Sequence, residues 1–252
     1  MSNDSLSYSA LGRTYTCRRL PTAHPPKAGI ILLPDWRGAG PLAMQHAQHL
    51  HGLGCDVVVA DLYGDGFMPS HPDQVGPMVQ QLLAHRQDGV VSLTACLNAF
   101  RPLLPADTPV IVLGYSAGGM VALDLARSGA PVDGTITCSA LLKTADAGMP
   151  TRIPGPVLIL QGTQDVISPP DVISTVIAEM DAAGNDAALS CSVRPTTLLT
   201  IRMQEQTPVR VWCIRPPRPR APAWPSRPLS TKLHPDPAPA RPISPISFQS
   251  MP

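Results

Sequence analysis

Residues 109–119 read Pro109-Val110-Ile111-Val112-Leu113-Gly114-Tyr115-Ser116-Ala117-Gly118-Gly119. Four consecutive β-branched or aliphatic residues with no polar interruption are the signature of a strand buried on both faces. Glycines two before and two after Ser116 leave room for the strand and a following helix to approach closely. The stretch therefore predicts a strand, a sharp turn carrying Ser116, and a helix running to Arg127. A serine presented in this way stands above the end of the sheet, where a substrate can reach its hydroxyl, so Ser116 is the candidate nucleophile. The helix behind it aims its N-terminus at the same point, and the backbone N–H of Ala117 is a candidate oxyanion donor.

Working outward, the same rhythm repeats. Ala28–Leu33, Asp56–Ala60, Val132–Ser139 and Pro156–Gln161 are short apolar runs that read as strands. Between them, Pro41–Leu53, Met78–His85, Val90–Phe100 and Val172–Ala183 read as helices, with Leu42, Ala47, Leu50 and Leu53 along one face of the first. Fully apolar strands alternating with amphipathic helices predict an α/β fold, a mostly parallel sheet with helices on both faces. Leu6–Arg18 is read as an antiparallel edge pair.

Open α/β sheets place their sites at the carboxyl ends of the strands. Two loops there matter. Leu33-Pro34-Asp35-Trp36-Arg37-Gly38 follows the first buried strand, and the Trp36 N–H is the candidate second oxyanion donor. Gly162-Thr163-Gln164-Asp165 follows a later strand and supplies Asp165 as the acid that would orient a histidine. Asp171 is placed to cap the next helix.

These residues, with Ala60-Asp61-Leu62-Tyr63-Gly64-Asp65-Gly66, carry a resemblance to the dienelactone hydrolase family of α/β-hydrolases, from about Tyr8 to about Asp186. The resemblance implies cleavage of small esters or lactones through an acyl-enzyme, with Asp35 and Tyr115 in the substrate pocket. Two departures stand out. Many members have cysteine where this chain has Ser116, and glutamate at the place of Asp35.

The base is the difficulty. In the serine, acid, histidine order of this fold, family members carry the histidine roughly thirty residues after the acid, followed by a small or acidic residue and phenylalanine. That position falls near Pro195, and no histidine stands there. His24, His46, His49, His51, His71 and His85 all precede Ser116. His46, His49 and His51 are expected on the solvated face of the first helix, and His71 in a loop. His234 alone follows the acid, far along among prolines.

From Ala187 the chain changes character. Glu205 and Asp236 are its only acidic residues, and runs such as Arg215-Pro216-Pro217-Arg218-Pro219-Arg220 block helices and central strands. The expectation is a hydrolase-like domain over 1–186 and a disordered Pro/Arg-rich segment over 187–252, leaving the C-terminal part of the fold incomplete. A genuine tail that docks partners or binds RNA is the alternative. A shifted reading frame is the sharper explanation. Take each codon from the third base of one residue and the first two of the next. Met203 into Gln204 then forces alanine and Trp212 into Cys213 forces valine, while Pro195 into Thr196 permits histidine and the next two junctions permit Asp-Phe.

Composition excludes several classes. The net charge of +1 gives no field to recruit nucleic acid or an anionic membrane. No apolar run is long enough to span a bilayer, and the first residues lack a secretory pattern. The six cysteines lack metal-ligand spacing and read as buried reduced thiols of a cytoplasmic protein. No cofactor or metal is expected, and the partner is a small-molecule ester or lactone bound by a monomer or weak homodimer. A hydrolase-like protein without activity is the competing reading.

Overall fold

The computed structural model describes residues 4–69, 71–146 and 152–192. The expected disorder of the segment beyond Ser192, and His234 within it, lie outside the described residues. One eight-stranded sheet organises the rest, in the order β1-β2-β4-β3-β5-β6-β7-β8. Strands β1 (Asp4–Ala10) and β2 (Arg13–Leu20) form the expected antiparallel edge pair, and β2 is antiparallel to β4 (Asp56–Val59). Strands β3 (Gly29–Leu33), β4, β5 (Val110–Tyr115), β6 (Gly134–Cys138), β7 (Val157–Gly162) and β8 (Ala187–Ser192) run parallel. Among the described residues there are five α-helices: α1 (Pro41–Gly52), α2 (Val75–Ala84), α3 (Arg86–Phe100), α4 (Ala117–Arg127) and α5 (Pro170–Ala182).

Alternation along the strands divides the core. Ile31, Leu33, Val58, Val110 and Val112 join α3 and α4 residues such as Leu93, Phe100, Met120 and Leu125 on one face. Ile30, Leu32, Val57, Val59, Ile111 and Leu113 meet Ala43, Ala47 and Leu50 of α1 on the other. A third cluster, with Leu123, Ile159, Ile173, Val176 and Met180, seats α5. Along β3, β4 and β5 both sheet faces are thus buried, which is why these central strands show no polar alternation.

Three details depart from expectation. The sheet gains β8, six residues past the boundary placed at 186. Its residues are exposed or half-buried, as an edge strand allows, so Ala187–Ser192 carries no apolar signal. The buried stripe of α1 is Ala43, His46, Ala47 and Leu50, so Leu42 and Leu53 are only half-buried. Asp171 is not the cap of α5: Pro169 holds that position and Pro170 the first helical one, where its missing N–H is harmless. Asp171 lies in the first turn, where a carboxylate meets the positive end of the helix dipole.

A buried ion cluster ties the helices together. Asp124 of α4 accepts two bonds from Arg86 of α3, at 2.6 and 2.8 Å, and a third from Arg127 at 3.2 Å. Arg127 also donates to Glu179 of α5 at 2.9 Å. Burying these charges is tolerable only because each is paired.

Candidate active site

Strand order places the site. The chain leaves β3 for its neighbour β4 on one side, then returns through β5 on the other, so the crevice lies between the ends of β3 and β5. Their register sets Leu33 against Gly114, which brings the loop after β3 beside Ser116.

Ser116 stands between β5 and α4 with φ 50° and ψ −119°, a left-handed conformation that a side chain adopts only under constraint. The constraint is visible. A Cβ on Gly118 would lie 2.3 Å from the Pro34 carbonyl oxygen, and one on Gly114 would lie 2.4 Å from the Gly118 oxygen. The Ser116 carbonyl accepts N–H bonds from Gly119 at 3.0 Å and Leu141 at 2.9 Å, while its own N–H donates to Cys138 at 3.2 Å. Ala117 opens α4, so its N–H is among those the helix itself leaves unpaired.

Asp165 is buried near the end of β7. Its Oδ2 accepts the Gln161 Nε2–H at 2.7 Å and its Oδ1 the Ile167 N–H at 2.9 Å. Gln161, fully buried, is itself fixed by accepting the Ala140 N–H at 3.0 Å. Sequence reasoning missed Gln161, which looked like one more strand residue.

The loop after β3 is pinned from a distance. Asp61 gathers the N–H groups of Thr16, Tyr63, Gly64 and Gly66 onto its two oxygens, at 2.9–3.3 Å. This shapes the Asp-Leu-Tyr-Gly-Asp-Gly run so that the Tyr63 hydroxyl donates to the Trp36 carbonyl at 2.9 Å. Burial, then the nearby Asp35 carboxylate, push the Tyr63 phenol up to about 12, so it stays a donor. Asp35 accepts the Arg37 N–H at 2.9 Å and pairs with the Arg37 guanidinium at 3.4 Å, which also lies over the Trp36 ring.

Ser116, Asp165, Trp36, Asp35 and Tyr115 line one cavity of about 630 Å³; Ala117 is buried beside it. Val166 and Ile167, 88% and 60% exposed, form an apolar rim. A larger groove of about 870 Å³ lies elsewhere, along Arg13, Tyr63 and α2, and contains none of these residues.

His46 corrects the expectation of a solvated face. It is 6% exposed, lines the Ser116 cavity, and packs its ring 4.4 Å from that of Tyr115. The spacing 43, 46, 47, 50 is the sequence signal for this inward position. His49 is exposed, as expected, while His51 is half-buried with its Nε2 3.1 Å from the Pro21 carbonyl. His71 is an exposed loop residue, and His24 and His85 are exposed. Among the described residues His46 is thus the one histidine at the cavity. Among them, too, no cluster could hold a metal ion, and no helix is long and apolar enough to cross a membrane.

A strand-turn-helix serine at the switch point of a largely parallel, helix-covered sheet is the architecture of an α/β-hydrolase. Residues 16–192 match the dienelactone hydrolase family, and the chain belongs to that family. Among solved structures it is similar to "m3DLH", at 26% identity over 76% of this chain and 81% of that one, with a TM-score of 0.71. It is also similar to a dienelactone hydrolase-like promiscuous phosphotriesterase from metagenomic libraries (22% identity, 78% and 83% covered, TM-score 0.72). A thermophilic esterase from Thermogutta terrifontis shares the fold at 15% identity (77% and 82% covered, TM-score 0.54). No curated protein sequence matches. Fold and family are those of a hydrolase.

Proposed function

We propose that this chain carries the machinery of a serine hydrolase of small esters or lactones, impaired by the lack of a base at the family's position. The observation that supports this reading best is Ser116 held in a left-handed turn on the same cavity as Asp165. The Ser116 hydroxyl attacks the substrate carbonyl, and the N–H groups of Ala117 and Trp36 receive the developing oxyanion. Collapse expels the alcohol and leaves an acyl-serine, which water then hydrolyses. Both steps need a base to take a proton and return it, and Asp165 would orient that base. Asp35 and Tyr115 shape the acyl pocket. Strand β8 ends at Ser192, whose carbonyl accepts the Thr163 N–H at 2.8 Å, two residues before Asp165. The family position for the histidine, near 195, follows directly. Cys17, Cys96 and Cys138, buried free thiols, fit a reducing cytoplasm.

Turnover of 4-nitrophenyl acetate, with Ser116→Ala as control, tests the reading. Slow turnover abolished by Ser116→Ala is expected. Rapid serine-dependent turnover would refute the impairment, and turnover indifferent to Ser116→Ala would refute the nucleophile. Sequencing the coding DNA around codon 186 tests the cause, since a shifted frame must encode His-Asp-Phe from the Pro195–Thr196 junction.

A further inference from the structure

Val166 and Ile167 are the two most exposed large apolar side chains among the described residues, at 88% and 60%; no other passes 48%. Single exposed apolar residues are ordinary on a protein surface. These two are consecutive, and both line the cavity that holds Ser116. Their loop is fixed at both ends. Asp165 before them and Ser168 after them are buried. Asp165 Oδ1 accepts the Ile167 N–H at 2.9 Å. Ser168 Oγ donates to the Ala140 carbonyl and accepts the Leu142 N–H, each at 2.9 Å. The two side chains between these anchors stay at the rim. Their apolar surface remains in water, at a cost in proportion to its area that a bound apolar group would relieve.

Their place beside Asp165 says which part of an ester they meet. In acyl transfer the base that the acid orients returns its proton to the departing group. Asp165 therefore marks the alcohol side of the site, opposite the acyl pocket assigned to Asp35 and Tyr115. Charge narrows the chemistry further. Two carboxylates and one guanidinium, Asp35, Asp165 and Arg37, line the cavity, and Arg37 is already paired with Asp35. Burial holds the His46 imidazole below its ordinary range, so it adds no positive charge at neutral pH. A carboxylate on the alcohol would find no uncommitted cation among these residues, and taking a charge out of water unpaired is costly.

We propose that Val166 and Ile167 form a specificity surface for the alcohol portion of the ester, selecting uncharged, apolar alcohols. The inference rests on the hydrolase reading for the ester itself, but its test needs no turnover. Both side chains act by contact with the substrate, not in the bond-making step.

The Ser116→Ala chain, full length, is titrated with three matched esters, and dissociation constants are read by ligand-observed NMR. Hexyl acetate and methyl heptanoate are isomers, so they match in composition. The first carries its apolar chain on the alcohol and the second on the acyl group. With the carbonyl at the N–H groups of Ala117 and Trp36, the two chains run to opposite sides. The third ligand, 6-acetoxyhexanoate, ends the alcohol chain in a carboxylate. Hexyl acetate is expected to bind about tenfold tighter than either of the others, the effect of taking roughly two methylenes out of water. Adding Val166→Ser and Ile167→Ser together should remove most of that advantage and leave methyl heptanoate unchanged. Val166 is the more exposed, so Val166→Ser alone carries the test if the double variant folds poorly. Val91→Ser makes a similar change at an exposed residue of α3 that does not line the cavity, and should leave all three affinities unchanged. Equal binding of the two isomers would overturn the proposal, as would binding of the anion as tightly as hexyl acetate. So would equal weakening of both isomers, or of neither, in the Val166 and Ile167 variants, or binding of none of the three. Failure of serine-dependent turnover of 4-nitrophenyl acetate in the unsubstituted chain would instead count against the hydrolase reading alone.

Discussion

Gly118→Ala should damage the protein in a way that its place in a helix would not suggest. In a free helix alanine is better than glycine by about 1 kcal/mol. Here the new Cβ would stand 2.3 Å from the Pro34 oxygen and 2.8 Å from both the Leu33 oxygen and the Leu33 Cβ. Relief to even a tight contact requires the end of β3 and the start of α4 to part by roughly 0.7–1 Å, because backbone oxygens cannot swing away. Overpacking of this kind costs about 1–3 kcal/mol, and a backbone clash belongs at the upper end. Subtracting the helix gain leaves a loss of ~2 kcal/mol, or about 4–8 °C in thermal midpoint for a domain of this size. Gly52→Ala is the matched control. It ends α1 with nothing within 4 Å of the added carbon, and should gain about 0.4–1 kcal/mol. Thermal unfolding followed by circular dichroism reads both. A Gly118→Ala midpoint equal to or above that of the parent would refute the idea that this glycine is present for close approach. Any residual esterase activity should fall further than stability, since the parting moves Asp35 and Trp36 off their line with Ser116.

Other outcomes follow from single contacts. Asp124→Ala leaves the buried guanidiniums of Arg86 and Arg127 without their shared partner, and should cost about 3–5 kcal/mol, read as a drop in urea midpoint. Tyr63→Phe removes the donor to the Trp36 carbonyl and should cost about 1 kcal/mol in the same assay. His46 gives a pH dependence of definite sign. Burial depresses its folded pKa below the ordinary 6.5, against a smaller opposing pull from Asp35 and with a push from His49. The unfolded state therefore binds the extra proton, and the stability His46 contributes is present above 6.5 and lost as pH falls through its folded value. The urea midpoint should decline less between pH 7 and 5 in His46→Leu than in the parent.

Much of this is legible in residue order because the central strands β3, β4 and β5 are buried on both faces. Val110–Leu113 or Ile30–Leu33 admit no other reading, and the glycines around Ser116 announce a close approach that the coordinates measure. The polar contacts are not legible in this way. His46 is expected on the solvated face of α1, although its spacing from Ala43 and Leu50 puts it inward. Helix α3 begins at Arg86, four residues before the expected Val90, and Arg86 is buried there against Asp124, a partner that no local pattern can reveal. Gln161 holds Asp165 through a side chain that resembles any strand residue. Strand β8 was invisible because an edge strand has little apolar surface to bury. The elements that pack were readable, and the polar ties that aim them were not.

Those ties bear on the proposed impairment. Three parts of the site are set by contacts that involve no base. The Ser116 turn is set by Gly118 against Pro34, the loop after β3 by Asp61 through Tyr63, and Asp165 by Gln161. Each Asp165 oxygen accepts one bond in these contacts, and a carboxylate oxygen can accept two, so the acid can still take a histidine N–H. A chain lacking the base should therefore keep the rest of the site assembled. On the proposed reading, replacing everything after Ser192 with the segment that a shifted frame would encode should then supply a base without rebuilding the site. A positioned acid–base group contributes about 10²–10⁴-fold. Turnover of 4-nitrophenyl acetate should rise by that order in the restored chain and fall back when its new histidine is changed to alanine. A replaced chain that folds, carries the histidine and gains nothing would refute the proposal that only the base is missing, and would point back to the Ser116 turn or the proposed oxyanion donors.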